Sequence, residues 1–196
     1  MSYATLMAWV NVDHVSKQFV GVATGVANKF ATNLIGLSAV AIVPPLVAEG
    51  VVIVDNATEF DIGKVKASLA TVGNKVQAAV GSGRQIEWRS VIEYPTETLI
   101  SEARCADLIV IESGRSAGDM YRSAAVGAAI LGAGRPFLVV PAAVKSLTAD
   151  HVMIGWKDTR EARRAVQDAL PFLHEAKRVT AGDMREGTDG DGARSC

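Results

Sequence analysis

The sequence predicts an α/β domain built on a largely parallel sheet with helices on both faces, followed by part of a second repeat. Three observations lead there. Apolar runs of strand length recur along the chain, helical patterns separate them, and the pattern of the first strand and helix returns late in the sequence. Strands that alternate with helices form βαβ units, whose crossovers make a parallel sheet and cover it.

The strands are expected in "TLMAWV" from Thr5, "LIGLSAV" from Leu34, "IEWRSV" from Ile86, "DLIVI" from Asp107 and "FLVV" from Phe137. Inside positions should include Leu6, Ala8, Leu34, Ile35, Leu37, Leu108, Val110, Leu138 and Val140. The clearest helix runs from Thr58 to Val80, because Ile62, Val65, Leu69, Val72, Val76 and Val80 recur along one face. Thr58 is the expected N-cap and Gly81 to Gly83 the expected stop. Val15 to Phe30 and Pro95 to Arg104 read as two further crossover helices, and Ser123 to Leu131 as a short last one ended by Gly132. The most apolar stretch, "LIGLSAVAIVPPLVAEGVVIV", is interrupted by Pro44, Pro45, Glu49 and Gly50, so two buried strands around a loop are expected there instead of a membrane span.

Composition narrows the function. The chain has 196 residues, 49% of them apolar, enough to bury a full core. Its 20 Lys and Arg nearly balance its 21 Asp and Glu, so no overall field favours nucleic acid or an anionic membrane. Cys105 and Cys196 have no metal spacing, and Cys105 in "EARCADLIV" is expected to be a buried, inert thiol. "MSYATLMAWV" has neither a basic n-region nor a small-residue cleavage site, so no signal peptide is expected and cytoplasm is the default location. His14, His151 and His174 lie at no metal spacing, and no nucleophile with a base partner is visible, so an enzyme is not expected. Trp9, Trp88 and Trp156 are expected to pack within the sheet and not to stack on bases.

After Pro141 the pattern begins again. "TLMAWVN" lies over "VMIGWKD" with Trp9 on Trp156, and Phe19, Val22, Val26 and Phe30 lie over Ala162, Ala165, Ala169 and Leu173. Residues 1–145 are read as a complete domain, 146–180 as a partial repeat of one strand and one helix, and 181–196 as a disordered tail. With no later strand to cover it, the helix face of Ala162, Ala165, Val166, Ala169, Leu170 and Leu173 should dock elsewhere. Asp158 and Thr159 are expected to cap that helix.

The order of strands, "ADLIVI" before a glycine loop, "GRPFLVVP" and then "IGWKDTREARRAVQDALPFL" together resemble a tandem universal stress protein with a complete first domain and a truncated second. The resemblance implies a five-stranded parallel sheet of the adenine nucleotide alpha-hydrolase-like type, a cytoplasmic stress response, and pairing of domains along the last strand. In members that bind ATP, two glycines three apart and a later glycine followed by Ser or Thr let backbone N–H groups approach phosphate at a helix start, and an Asp ends the first strand. Here the loop is "ESGRSAGDMYRSAAVGAAI": Glu112 stands where the first glycine belongs, the spacing of Gly114, Gly118 and Gly127 differs, Ala128 replaces the hydroxyl, and Asn11 stands at the Asp position with Asp13 two residues on.

The positions that the resemblance places around a nucleotide are Asn11, Asp13, Val40, Gly114, Arg115, Gly118, Gly127 and Ala128, with Arg115 and Arg122 as candidate anion holders. No metal or other cofactor is expected, ATP being the candidate if one is held. The function expected is a stress-response module that binds adenine nucleotide weakly if at all and works as a homodimer or by pairing with another universal stress domain. The alternative is a genuine ATP-binding stress protein with slow hydrolysis.

Overall fold

The computed structural model describes residues 2–43, 47–48, 51–52, 57–113 and 119–183. The chain divides into a larger unit, Ser2–Leu147, and a smaller one from Thr148 onward. The larger unit contains β1 (Thr5–Trp9), α1 (Lys17–Lys29), β2 (Asn33–Ala39), β3 (Val47–Ala48), β4 (Val51–Val52), α2 (Ala57–Val80), β5 (Glu87–Val91), α3 (Pro95–Glu102), β6 (Leu108–Ser113), α4 (Val126–Ala133) and β7 (Phe137–Pro141). The smaller contains β8 (His151–Trp156), α5 (Arg160–Asp168), α6 (Leu170–Glu175) and β9 (Arg178–Asp183).

Five strands form one parallel sheet in the order β5-β2-β1-β6-β7, with helical crossovers, the fold class that the sequence predicts. The three central strands are buried on both faces: Leu6, Ala8, Leu34, Ile35, Leu37, Leu108 and Val110 are all core residues. Met7, Trp9, Ile35, Leu37, Ile109 and Ile111 pack on one side with Leu99 of α3 and Ala129 of α4. At the β7 edge, Val140 is buried but Leu138 is only half-buried, because an edge strand lacks a neighbour on one side.

Local chemistry sets the helix ends. Ser16 caps α1, its hydroxyl accepting from Phe19 N at 3.1 Å. In α2, Leu69, Val72 and Val76 are buried as the periodicity predicts, while Ile62, Val65 and Val80 are half-buried. The helix begins at Ala57, so Thr58 lies inside it and not at the cap; Gly81 ends it with φ +81°.

The end of α4 differs from expectation. Gly132 lies within the helix, where a Cβ would come within 2.7 Å of Ile100 Cδ1; Gly134, at φ +60°, ends it instead. Two other expectations also change. Cys105, at the end of a 3-10 turn (Ala103–Cys105), is exposed and not buried. Beyond β2, the described residues of the apolar stretch include the short antiparallel pair β3 and β4. Among the described residues no helix is long and apolar enough to cross a membrane.

The smaller unit is longer than the sequence pattern indicated. The expected helix divides at Ala169, two residues before Pro171, which cannot donate into the preceding turn. Then β9 pairs parallel with β8 over six residues, His151 with Arg178 through Trp156 with Asp183. The unit is therefore β-α-α-β and carries a strand beyond the one expected. It crosses the boundary set at residue 180; residues 184–196, the rest of the expected tail, lie outside the described residues. With its divided helix counted as one, its order is like β1-α1-β2, and the caps are alike: Thr159 Oγ1 accepts from Ala162 N at 3.2 Å, as Ser16 Oγ accepts from Phe19 N at the start of α1.

Candidate functional site

In the sheet β1 lies between β2 and β6, so the chain leaves it in one direction for β2 and later returns on its other side. Such a reversal opens a crevice beyond the carboxyl ends of the strands. The crevice here is a cleft of about 250 Å³. Trp9, Val10, Asn11 and His14 enter it from β1 and the loop beyond, Ile111 and Glu112 from β6, and Phe19, Ser123, Ala124 and Val126 close it.

Two turns shape its rim. After β1, Asn11 Oδ1 accepts from Asp13 N at 2.8 Å, an Asx turn that sends the chain toward α1. Before α4, Asp119 Oδ1 accepts from Tyr121 N at 2.9 Å, and Asp119 O accepts from Ser123 N at 2.9 Å. Tyr121 O accepts from Ala41 N at 2.7 Å, which fixes this turn to the end of β2.

Side chains then join the two turns. Asn11 Nδ2 donates to Ser123 Oγ at 3.1 Å. The Arg122 guanidinium makes a two-pronged contact with Asp13, Nε to Oδ2 at 2.9 Å and Nη2 to Oδ1. Hydrogen bonding to Arg122 holds the Asp13 carboxyl below its usual range against the opposing effect of burial, and the same bond raises Arg122. Glu112 is the carboxylate within the cleft, its side chain 17% exposed, with His14 Nε2 3.9 Å from Oε2. Among the described residues no group of His, Cys, Asp and Glu could hold a metal ion.

The sequence-derived positions have different fates. Asn11 lines the cleft, and Asp13 stands at its rim bound to Arg122. Val40 is buried, its N–H donating to Val91 O at 3.2 Å, and belongs to the core beside the cleft. Gly127 and Ala128 are exposed in the first turn of α4. Gly114, Arg115 and Gly118 lie outside the described residues.

Ser123, Phe19 and Val126 were not singled out as site residues. Phe19 entered only in the overlay of the two helices, Ser123 only as a helix start, and Val126 only within the short last helix. Their only sequence signal is their position beside the two loops at the strand ends. In the smaller unit Thr159 caps α5, while Asp158 pairs with Arg163.

No protein-family model and no curated protein matches this sequence. Among solved structures, the universal stress protein UspA from Lactobacillus plantarum is similar, at 16% identity over 71% of this chain and 99% of that one, with a TM-score of 0.52. A universal stress protein in complex with cAMP aligns at 20% identity over 73% of this chain and 100% of that one, TM-score 0.48. The universal stress protein from Archaeoglobus fulgidus in complex with dAMP aligns at 16% identity, over 71% and 99%, TM-score 0.45. The five-stranded parallel α/β fold of this chain is that of the universal stress proteins.

Proposed function

We propose that the chain is a universal-stress-protein-like module of the cytoplasmic stress response that acts by dimerisation and protein interaction, and that it binds adenine nucleotide weakly if at all. The observation that carries this is Glu112: a largely enclosed carboxylate lines the cleft where ATP-binding members of the family place a glycine against phosphate. A negative group there repels phosphate, and the cost grows as solvent is excluded. Arg122, a cation at the rim, is already engaged by Asp13. Association would use β7, an edge strand on which Val139 is 43% exposed, together with residues 151–179, where Met153 is 76% and Val179 44% exposed. The matching order and caps of the smaller unit support a tandem arrangement.

The test is mass spectrometry of nucleotide retained by freshly purified protein, followed by calorimetric titration of ATP with magnesium. The expected dissociation constant is weaker than about 100 μM, roughly 5.5 kcal/mol. A low-micromolar constant would favour the alternative, an ATP-binding stress protein with slow hydrolysis, for which the placement of the cleft at the sheet's reversal is the supporting observation.

A further inference from the structure

The geometry points to a phosphate-free nucleoside as the ligand of the cleft, with Glu112 the group that accepts the ligand's O–H or N–H donors and rejects its phosphorylated forms. This deepens the module proposed above and rests on its adenine-directed reading.

Size comes first. Ligand pockets commonly hold roughly 300–1,000 Å³, and at about 250 Å³ this cleft falls just below that range. One base with its sugar is a better match to it than a triphosphate. The lining comes next. Trp9, Phe19 and Ile111, each under 5% exposed, present narrow apolar edges to the cleft beside the half-buried Val126, enough to meet a heteroaromatic base along one side. The polar groups divide by what they offer. Asn11 Nδ2 donates to Ser123 Oγ and Asn11 Oδ1 accepts from Asp13 N, which leaves one amide hydrogen of Asn11 and the Ser123 hydroxyl hydrogen as donors to ligand acceptors such as ring nitrogens. Glu112 is different, since the salt-bridge distance to His14, 3.9 Å, is too long for a hydrogen bond.

A carboxylate only accepts, and its two oxygens suit a vicinal pair of hydroxyls or an exocyclic amine. Ribose and adenine present these donors. A phosphate monoester presents only acceptors and about two negative charges near neutral pH. Placed near a carboxylate that is 17% exposed, it meets repulsion that water screens poorly.

Calorimetry of adenosine, AMP and ATP with magnesium on the full chain tests this. Adenosine should bind at least tenfold more tightly than AMP, and Glu112→Gln should narrow that ratio to about threefold or less by removing the charge. Raising the salt from about 50 to 300 mM should move AMP toward adenosine in the wild type, because the interaction being screened is repulsive. A cleft built on cations would show the opposite salt trend. The wild-type ratio and its salt trend need no variant, so they decide the question even where Glu112→Gln fails to fold.

AMP binding as tightly as adenosine would overturn the inference, and so would absence of adenosine binding at millimolar concentration. The latter leaves the interaction module standing if ATP is also unbound. Low-micromolar ATP with adenosine tenfold tighter still would instead overturn the weak-nucleotide reading and uphold the nucleoside preference.

Discussion

The indole of Trp88 occupies the space that a side chain on Gly73 would need. A Cβ at Gly73 would lie 2.7 Å from Trp88 Nε1 and 2.9 Å from Cδ1, and one at Gly36 would lie 2.8 Å from Cε3 of the same ring. Trp88 of β5 is thus seated against β2 and α2 at two positions without side chains. Gly73→Ala should cost about 1–2 kcal/mol, since overpacking of roughly 1–3 kcal/mol outweighs a helix gain of about 0.5–1 kcal/mol. Gly25→Ala, in α1 with nothing within 4 Å, should stabilise by about 0.5–1 kcal/mol. Urea unfolding followed by circular dichroism distinguishes them, and a stabilised Gly73→Ala would show that the ring yields freely.

Asp107 fastens the start of β1 to the start of β6. Its Oδ2 accepts from Ala4 N at 2.8 Å and from Thr5 N at 3.0 Å. Asp107→Ala removes both acceptors and should cost about 1–2 kcal/mol, less than for a fully buried carboxylate because solvent reaches the Ala4 amide. Asp107→Asn keeps one acceptor and should recover part of the loss. Hydrogen exchange at the Thr5 amide, faster in the alanine variant than in the asparagine variant, gives the local check.

The Asp13–Arg122 pair predicts a pH dependence of defined sign. Because the folded-state pKa of Asp13 is lowered, chiefly by its hydrogen bond to Arg122, the pair contributes stability above the unfolded pKa, near 3.8, and loses it as pH falls through the lower folded value. Side-chain exposures of 52% for Asp13 and 38% for Arg122 keep the contribution under about 1 kcal/mol. The stability difference between wild type and Asp13→Asn should therefore be present at neutral pH and vanish in strong acid. A difference that grows on acidification would contradict the assignment.

Self-association should depend on the β7 edge. Val139 is 43% exposed on a strand with one free side, so Val139→Lys should place a charge where a second chain would pair. Light scattering across a concentration series should show a dimer for the wild type and a shift toward the 20.6 kDa monomer for the variant. A wild type that stays monomeric at high micromolar concentration would rule out the dimer. A chain ending at Pro141 that dimerises equally well would remove residues 151–179 from the interface.

The sequence by itself determined the sheet's five strands, the crossover helices and the identity of the central core, because burial on both faces demands unbroken apolar runs and burial on one helix face demands a repeat of three or four. It also carried a late return of the first strand-and-helix pattern, while the matching hydroxyl caps, Ser16 on α1 and Thr159 on α5, came from the structure. Tertiary structure decided what apolar pattern does not encode. In β9, five of the six residues are exposed; the strand is made by backbone pairing with β8, and no run of buried side chains announces it. Gly132 and Gly134 are equally plausible helix stops in sequence, and only the approach of Ile100 and the positive φ at Gly134 separate them. The cleft belongs to the same class: Asn11 meets Ser123, Asp13 meets Arg122 and His14 faces Glu112 only because parallel pairing of β1 with β6 brings together two loops about a hundred residues apart along the chain.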